Sequence, residues 1–371
     1  MLNLAQQPLW PYSFPKKLEN GDFEFEFKAT SSFSESELKE VMLLPREKYF
    51  NRTTFDEDRK RLKKFYFDNG FFDVLVDTST SLMDDGISIN LEFKITENQK
   101  YIIKEFHYLE IGKVSEQAKW EIYTGYLIKQ GEPYNKKLIS QEKDRVINIL
   151  QDNGYYHAFT ADTGGVVVAK YSDELQKNPE YEHKVIVKIK FKGAEYQYRF
   201  GKTNISFKNN KYSIGKDIIE RELEYKEGEI YDKSRIIQSE NNFSKLPIIQ
   251  TVRLETDSID EDNRIVHIAA NILLGNKYEL TPGISLIYFT NKLFAGASLE
   301  HRNKNFFGAG RIFSAKLEGR INDFGNNQID LSFAFTQPYL FNNNMSLTLN
   351  PTVGLLNVNS NTEYIYSLSS Q

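Results

Sequence analysis

The sequence predicts an α+β chain in which three β-α-α-β-β units precede the first antiparallel strands of a transmembrane β-barrel. Three observations support this prediction. A pattern of apolar positions that ends in Asn-Gly repeats within the first 275 residues. Of the 47 basic and 51 acidic side chains, only 13 lie in the last 96 residues. Those last residues alternate apolar and polar side chains with the period of a β-strand.

The first unit is predicted to cover residues 23–99, after an irregular lead-in over residues 1–22. Aromatic residues alternate with acidic ones from Phe23 to Phe27, which is typical of an opening strand. Two capping boxes then predict helix starts, because a hydroxyl and a carboxylate three residues apart satisfy the free N–H groups of a first turn. These boxes are Ser34 with Glu37 and Thr54 with Glu57.

The second helix of this unit carries apolar residues on one face. It should end at Asn69-Gly70, since this dipeptide favours a left-handed cap. A strand is predicted from Phe71 to Asp77 and a returning strand from Ile87 to Ile95. Asp84-Asp85-Gly86, between them, is typical of a hairpin turn.

The same unit recurs after a shift of 84 residues and, less completely, after a further 97. The first shift keeps the apolar helix positions and turns Asn69-Gly70 into Asn153-Gly154. The second shift keeps a Gly and a Tyr before the helix, and Pro247 then ends that helix abruptly. A repeat of this length, with its own helices and hairpin, is a small domain rather than a solenoid turn. We therefore predict further domains over residues 100–194 and 195–275.

Residues 276–371 predict a meander of alternating strands with short turns between them. On two of these strands the apolar side chains should face lipid and the polar ones the lumen of a barrel. The predicted lipid face consists of Phe313, Ala315, Leu317, Ile321, Ile329, Leu331, Phe333 and Phe335. The predicted lumen face consists of Lys316, Glu318, Arg320 and Asp330. Alternation alone leaves a soluble β-sandwich open as the alternative.

Composition excludes several classes of site. The chain has no cysteine, so disulfides, thiolate metal sites and cysteine nucleophiles are excluded. The net charge of −4 gives no indication of nucleic-acid binding. No apolar run is long enough for a transmembrane helix, and the first residues lack the pattern of a signal peptide. HExxH and GxSxG motifs are absent, so no catalytic residue, metal ligand or cofactor is predicted.

Five stretches carry a resemblance to a known family. Asp58 to Val76, Asp144 to Asp162 and Glu227 to Leu246 resemble the helix, turn and strand of POTRA domains. Asn303 to Gly310 resembles the family's Asn-x-Asn turn with Gly-x-Gly, and Thr336-Gln337-Pro338-Tyr339-Leu340 resembles its strand-ending Pro-Tyr. The order of these stretches is similar to that of the outer-membrane assembly superfamily of BamA and TamA, in which periplasmic POTRA domains precede a β-barrel.

The resemblance implies a non-enzymatic outer-membrane protein whose N-terminal domains lie in the periplasm. Its expected partners are unfolded outer-membrane or secreted proteins, outer-membrane lipid and other subunits of an assembly machinery, but not nucleic acid. Client strands would add to exposed sheet edges. The helix–turn–strand order places these edges at Val74, Leu75, Val76, Ala158, Phe159, Thr160, Val252, Arg253 and Leu254. Covered, ordinary sheet edges are the alternative for these strands.

The first barrel strand, predicted within Leu280 to Phe289, would template client strands if the resemblance holds. A closed barrel needs at least about eight strands, and residues 276–371 supply fewer, so an incomplete barrel is expected. Two further functions stay open: a pore for two-partner secretion, and a periplasmic binding scaffold whose β-region is soluble.

Overall fold

The computed structural model describes residues 23–28, 32–48, 50–83, 88–161, 166–168, 172, 175–208, 214–289, 292–308, 310–322, 326–338, 346–358 and 361–370. The predicted lead-in, the turn at Asp84-Asp85-Gly86 and the Tyr339-Leu340 pair lie outside the described residues. The chain forms two compact units. One comprises residues 1–149 and 158–194, and the other residues 150–157 and 195–371.

The first β-α-α-β-β module has the predicted element order. Its elements are β1 (Phe23–Lys28), α1 (Glu35–Val41), α2 (Arg52–Asp68), β2 (Leu75–Leu82) and β3 (Ile89–Thr96). The last strand, β3, is central, with β1 parallel on one side and β2 antiparallel on the other. The apolar faces of both helices and of β3 form one buried core, which includes Leu38, Phe55 and Phe93.

The helix caps of this module confirm one prediction and correct another. Ser34 and Glu37 form the predicted capping box at α1. The box predicted at Thr54 is wrong, because Asn51 caps α2 one turn earlier and its Oδ1 accepts the N–H groups of Thr53 and Thr54. The Thr54 hydroxyl donates to Glu47 instead, at 2.9 Å.

The end of α2 is as predicted, but the start of the next strand is not. Asn69 is the C-cap and Gly70 has a φ of +95°, the left-handed conformation that glycine adopts without strain. A turn then occupies the residues expected to start a strand, so β2 begins at Leu75 instead of Phe71.

The second module repeats this order with one additional short strand. Its elements are β4 (Ile102–Leu109), α3 (Glu116–Thr124), α4 (Lys136–Asp152), β5 (Phe159–Thr160), β6 (Val166–Val168) and β7 (Lys184–Lys192). β7 is central, with β4 parallel on one side and β5 and β6 antiparallel on the other. Gly154 has a φ of +93°, which confirms the second Asn-Gly stop.

The third module lies in the second compact unit. Its elements are β8 (Arg199–Lys208), α5 (Lys216–Glu222), α6 (Lys233–Ser244), β9 (Ile249–Asp260) and β10 (Ile265–Leu274). β10 is central between β8 and β9. β9 is longer than the strand predicted from Thr251 to Glu255, because pairing with β10 continues to Asp260.

Six antiparallel strands follow in chain order, as the alternation predicted. They are β11 (Tyr278–Phe289), β12 (Lys292–Asn303), β13 (Ile312–Asn322), β14 (Asn327–Gln337), β15 (Leu347–Val358) and β16 (Asn361–Ser370). Each strand pairs with its neighbour in sequence. Their length of ten to twelve residues is that of strands that cross a membrane at a tilt.

Candidate strand-binding edges and a two-faced sheet

The predicted edge residues of the first module lie at the start of β2. This strand is the outermost of its sheet and is eight residues long. Leu75 is 55% exposed, whereas Val76 packs into the core. Val74 precedes the strand and is buried. Backbone groups on the outer side of β2 can therefore pair with an added strand, since an edge strand leaves one row of N–H and C=O groups without a partner strand.

The other two predicted edges differ from β2: β5 is much shorter, and a side chain covers part of β9. Phe159 and Thr160 form the whole of β5, and Ala158 is buried before it. β9 is long, and Arg253 on it is exposed. However, the N–H of Leu254 already donates to the Glu240 carboxylate of α6 at 2.7 Å. Glu240 therefore occupies part of the outer edge of β9.

A repeated backbone junction follows each Asn-Gly turn. Gly70 O accepts the N–H of Tyr101 at 2.9 Å, and Tyr101 O accepts the N–H of Tyr134 at 2.9 Å. Phe72 packs on the rings of both tyrosines, with centroid distances of 5.2 and 5.0 Å. A Cβ on Gly70 would come within 2.8 Å of Tyr134 O, so only glycine fits at this turn.

The same junction recurs in the second compact unit. Gly154 O accepts the N–H of Tyr198 at 2.8 Å, and Tyr198 O accepts the N–H of Tyr231 at 2.9 Å. Tyr156 takes the place of Phe72 and packs on both rings. Every member of the junction is thus related to its counterpart by a shift of 84 or 97 residues, so the repeat extends to the residues of this junction.

Burial and nearby carboxylates keep these tyrosines neutral. Burial, followed by the charge of Asp68, raises the pKa of Tyr134 to about 12. Burial and a hydrogen bond to Glu261 raise the pKa of Tyr198 to about 12. The Tyr198 hydroxyl in turn lowers the pKa of Glu261 by donating to it.

One face of the six-stranded sheet carries a network of charged side chains. Glu318 and Asp330 lie directly opposite each other on β13 and β14. Arg320 donates to Glu318 at 2.8 Å and pairs with Asp330 at 3.1 Å, and Lys316 pairs with Glu318 at 2.7 Å. Gly296 leaves room for the Arg320 stem, because a Cβ there would lie 2.8 Å from Arg320 Cγ. All four residues predicted for the lumen thus lie on one face.

The other face of the sheet is apolar and exposed. The register pairs Phe313 with Phe335, Ala315 with Phe333, and Leu317 with Leu331. Gly319 is opposite Ile329, and Ile321 is on the same face. Ile284 on β11 is 94% exposed, whereas Glu318 on the polar face is 6% exposed. A soluble sandwich would bury the apolar face, so this inverted burial supports the barrel interpretation over the sandwich.

The turn between β12 and β13 is held by its own side chains. Asn305 is buried and its Oδ1 accepts the N–H of Gly310 at 3.3 Å. Phe307, Gly308 and Gly310 all have positive φ. A Cβ on Gly310 would lie 3.1 Å from Leu246 at the end of α6. Ala309 lies outside the described residues.

A set of buried polar residues was missed by the sequence analysis. Asp58 accepts the N–H groups of Leu43 and Leu44, Glu142 accepts that of Leu127, and the Ser239 hydroxyl accepts that of Glu224. All three side chains are fully buried on the second helix of their module. They are equivalent by the same shifts of 84 and 97 residues, which is the signal that could have found them.

Within the residues described, no group of three or more His, Asp or Glu side chains is arranged to hold a metal ion. No helix in the described part of the chain is long and apolar enough to cross a membrane.

The chain is similar to known proteins. The POTRA model "Surface antigen variable number repeat" matches residues 24–98. The outer membrane protein assembly factor BamA of Neorickettsia risticii (strain Illinois) is 23% identical over 260 residues, which cover 66% of this chain and 31% of that protein. The chain therefore spans less than a third of the length of this curated relative.

Two solved structures match parts of the chain. BamA from Haemophilus ducreyi lacking POTRA domains 1–3 superposes with a TM-score of 0.53 at 17% identity, covering 73% of this chain and 47% of that one. POTRA domains 3–5 of Haemophilus influenzae BamA give a TM-score of 0.42 at 17% identity, covering 68% and 95%. The POTRA match, the BamA relative and the order of α+β modules before antiparallel strands together support a BamA-like outer-membrane protein with periplasmic POTRA domains.

Proposed function

We propose that this protein assists the insertion or translocation of other proteins at the outer membrane, and that its POTRA domains bind client strands by β-strand addition. Its curated relative is described as an outer membrane protein assembly factor. The proposed role is non-enzymatic and needs no cofactor, because pairing uses backbone groups only. The clients are unfolded outer-membrane or secreted proteins.

The observation that carries this proposal is the outer edge of β2. Eight residues offer a continuous row of backbone groups, and Leu75 and Leu82 at its ends are 55% and 62% exposed. Between them Asp77, Ser79 and Ser81 are exposed and polar. Such polar residues limit self-association of an edge without removing its capacity to pair. We rank β2 above β5, which is two residues long.

The Glu240 side chain partly covers the third predicted edge, which is that of β9. Glu240 accepts the Leu254 N–H, so a strand added to β9 must first displace this carboxylate. A charge-assisted hydrogen bond of this kind contributes about 1.5–3 kcal/mol. We therefore expect β9 to bind a client strand more weakly than β2, and Glu240→Ala to remove the difference.

Lipid is the second proposed partner. The apolar face of β11 to β14 would contact acyl chains, and the Glu318–Arg320–Asp330 network would face the lumen. Other subunits of an assembly machinery are a third proposed class of partner, and the POTRA edges are the surfaces they would use.

Disulfide trapping tests strand addition, because the natural chain has no cysteine and each introduced one is unique. The probe is a peptide of residues 327–337 with an added cysteine, since this segment alternates like a client strand. Ser79→Cys on β2 should trap the peptide, and Glu57→Cys, exposed on α2, should not. Equal trapping at Ser79→Cys and Glu57→Cys, or equal trapping by a scrambled peptide, would refute strand addition.

A further inference from the structure

An open aromatic groove lies at the other edge of the second module. It has a volume of about 320 Å³ and is lined by Phe106, His107, Tyr108, Tyr123 and Tyr126. The first three are consecutive on β4, the outermost strand on its side of the sheet. Side chains of consecutive strand residues alternate between faces, so a groove touched by all three runs along the edge of the strand.

The groove exists because the core is left uncovered at this edge. Phe106 and Tyr108 pair in register with Val187 and Ile189, which are buried beneath the helices. Both rings therefore belong to the core layer, yet both stay partly exposed. Tyr123, in the last turn of α3, is 54% exposed beside them. In the first module the β1 rings Phe25 and Phe27 are partly exposed as well, and Lys39 Nζ lies 5.8 and 5.9 Å from their centroids.

The walls of the groove are held in place before any ligand binds. The Tyr108 hydroxyl donates to Glu142, which also accepts the Leu127 N–H at 2.9 Å and a 2.6 Å hydrogen bond from Arg145. Tyr108 makes edge contacts with Phe106 and Tyr123 at centroid distances of 4.7 and 5.6 Å. A ligand would therefore order few side chains on binding, which favours affinity.

The side chains that line the groove favour one kind of ligand. Four of its five lining side chains are aromatic, and none is Lys, Arg, Asp or Glu. A charged side chain would lose its hydration there, and the Glu105 carboxylate beside the groove already contacts His107 at 3.0 Å. An aromatic ring, by contrast, gains edge or stacking contacts. The outer edge of β4 is occupied at Ile103, whose N–H and C=O bond Glu132 and Gly131. Beyond Ile103, beside the groove, the edge offers backbone pairing to an extended segment. These two requirements together describe an extended segment with an aromatic residue among alternating apolar positions.

We propose that this groove is a further strand-binding site, where an alternating client strand pairs with the outer edge of β4 and inserts an aromatic side chain between Phe106, Tyr108 and Tyr123. The added strand would extend the sheet and cover the open core layer. The site lies on the opposite side of its sheet from β5. The inference rests on the proposed function for the class of client, an unfolded outer-membrane protein segment.

The test uses the full chain in detergent micelles and the peptide of residues 327–337 with a photoreactive benzoylphenylalanine at Phe333. Crosslinks mapped by mass spectrometry should fall on Tyr123 and Tyr126. Tyr123→Ala should weaken peptide binding at this site about three- to tenfold, as expected for the loss of one aromatic contact. Trp120→Ala is the matched control, because Trp120 is exposed on the same helix and does not line the groove.

The outcomes separate the two proposals. Crosslinks on β2 with none in the groove would overturn the groove and leave strand addition intact, as would equal binding by Tyr123→Ala and Trp120→Ala. No crosslink at any edge would overturn both. A peptide with serine in place of Phe333 and Phe335 should pair with β2 and fail to protect Tyr126 from chemical iodination. Equal protection of Tyr126 by both peptides would refute insertion of the aromatic side chain.

Discussion

Replacing Asp58 by alanine should destabilise the first POTRA module by about 4 kcal/mol. The Asp58 carboxylate is fully buried and accepts the N–H groups of Leu43 at 2.9 Å and Leu44 at 2.8 Å. Alanine leaves both donors buried without this acceptor, and each such loss costs about 1–3 kcal/mol. The contact with Arg61 adds little, since the guanidinium is partly exposed.

Two further variants show whether the lost acceptor is the cause. Asp58→Ser copies Ser239 of the third module, whose hydroxyl accepts one N–H at 2.9 Å. One of the two donors should then stay paired, and the loss should be about half as large. Asp56→Ala removes an exposed carboxylate on the same helix that pairs with Arg52 at 3.4 Å. Such a surface pair contributes less than about 1 kcal/mol.

Native-state hydrogen exchange of the α2 amides in the full chain measures these free energies of opening, because exchange reports each cooperative segment separately. The expected order of stability is wild type, Asp56→Ala, Asp58→Ser and Asp58→Ala. If Asp58→Ala lies within about 0.5 kcal/mol of Asp56→Ala, the buried carboxylate does not hold the loop before α2, and the reasoning fails.

Two other predictions concern the junction and the sheet. The pKa of Tyr134 is about 12 in the folded protein and about 10 in the unfolded chain, so the free energy of unfolding should fall between pH 10 and 12. Urea unfolding of Tyr134→Phe should show a smaller fall over this pH range. An equal fall in the variant and the wild type would contradict this prediction. Arg320→Ala leaves Glu318 and Asp330 facing each other, which should cost about 3–5 kcal/mol. Thermal unfolding in detergent should show a smaller loss for Lys316→Ala; equal losses would refute the bridging role.

The sequence predicted the elements whose signals are local. Alternation predicted a meander of strands after residue 276, and glycine marked the two left-handed stops at Gly70 and Gly154. A capping box was misplaced because Thr54 and Glu57 match the pattern as well as Ser34 and Glu37 do. Asn51 prevails there, since its carboxamide accepts two N–H groups one turn earlier.

Features that depend on tertiary contacts were not predictable in this way. Asp58, Glu142 and Ser239 are polar and differ in chemical type, so a search for repeated apolar positions does not find them. Their shared role appears only once each is seen to accept a loop N–H. Phe106 and Tyr108 likewise fit an ordinary strand, and only the packing shows that their rings stay partly open.

The repeated junction bears on how the number of modules in such chains can change. Its specific contacts are backbone hydrogen bonds from a glycine turn to the next strand, with one aromatic ring packed on two tyrosines. Both junctions use the same backbone hydrogen bonds. A duplicated module would therefore already carry the glycine turn and the tyrosines that a further junction requires. Module number could then change by recombination between copies, without compensating substitutions in the neighbours.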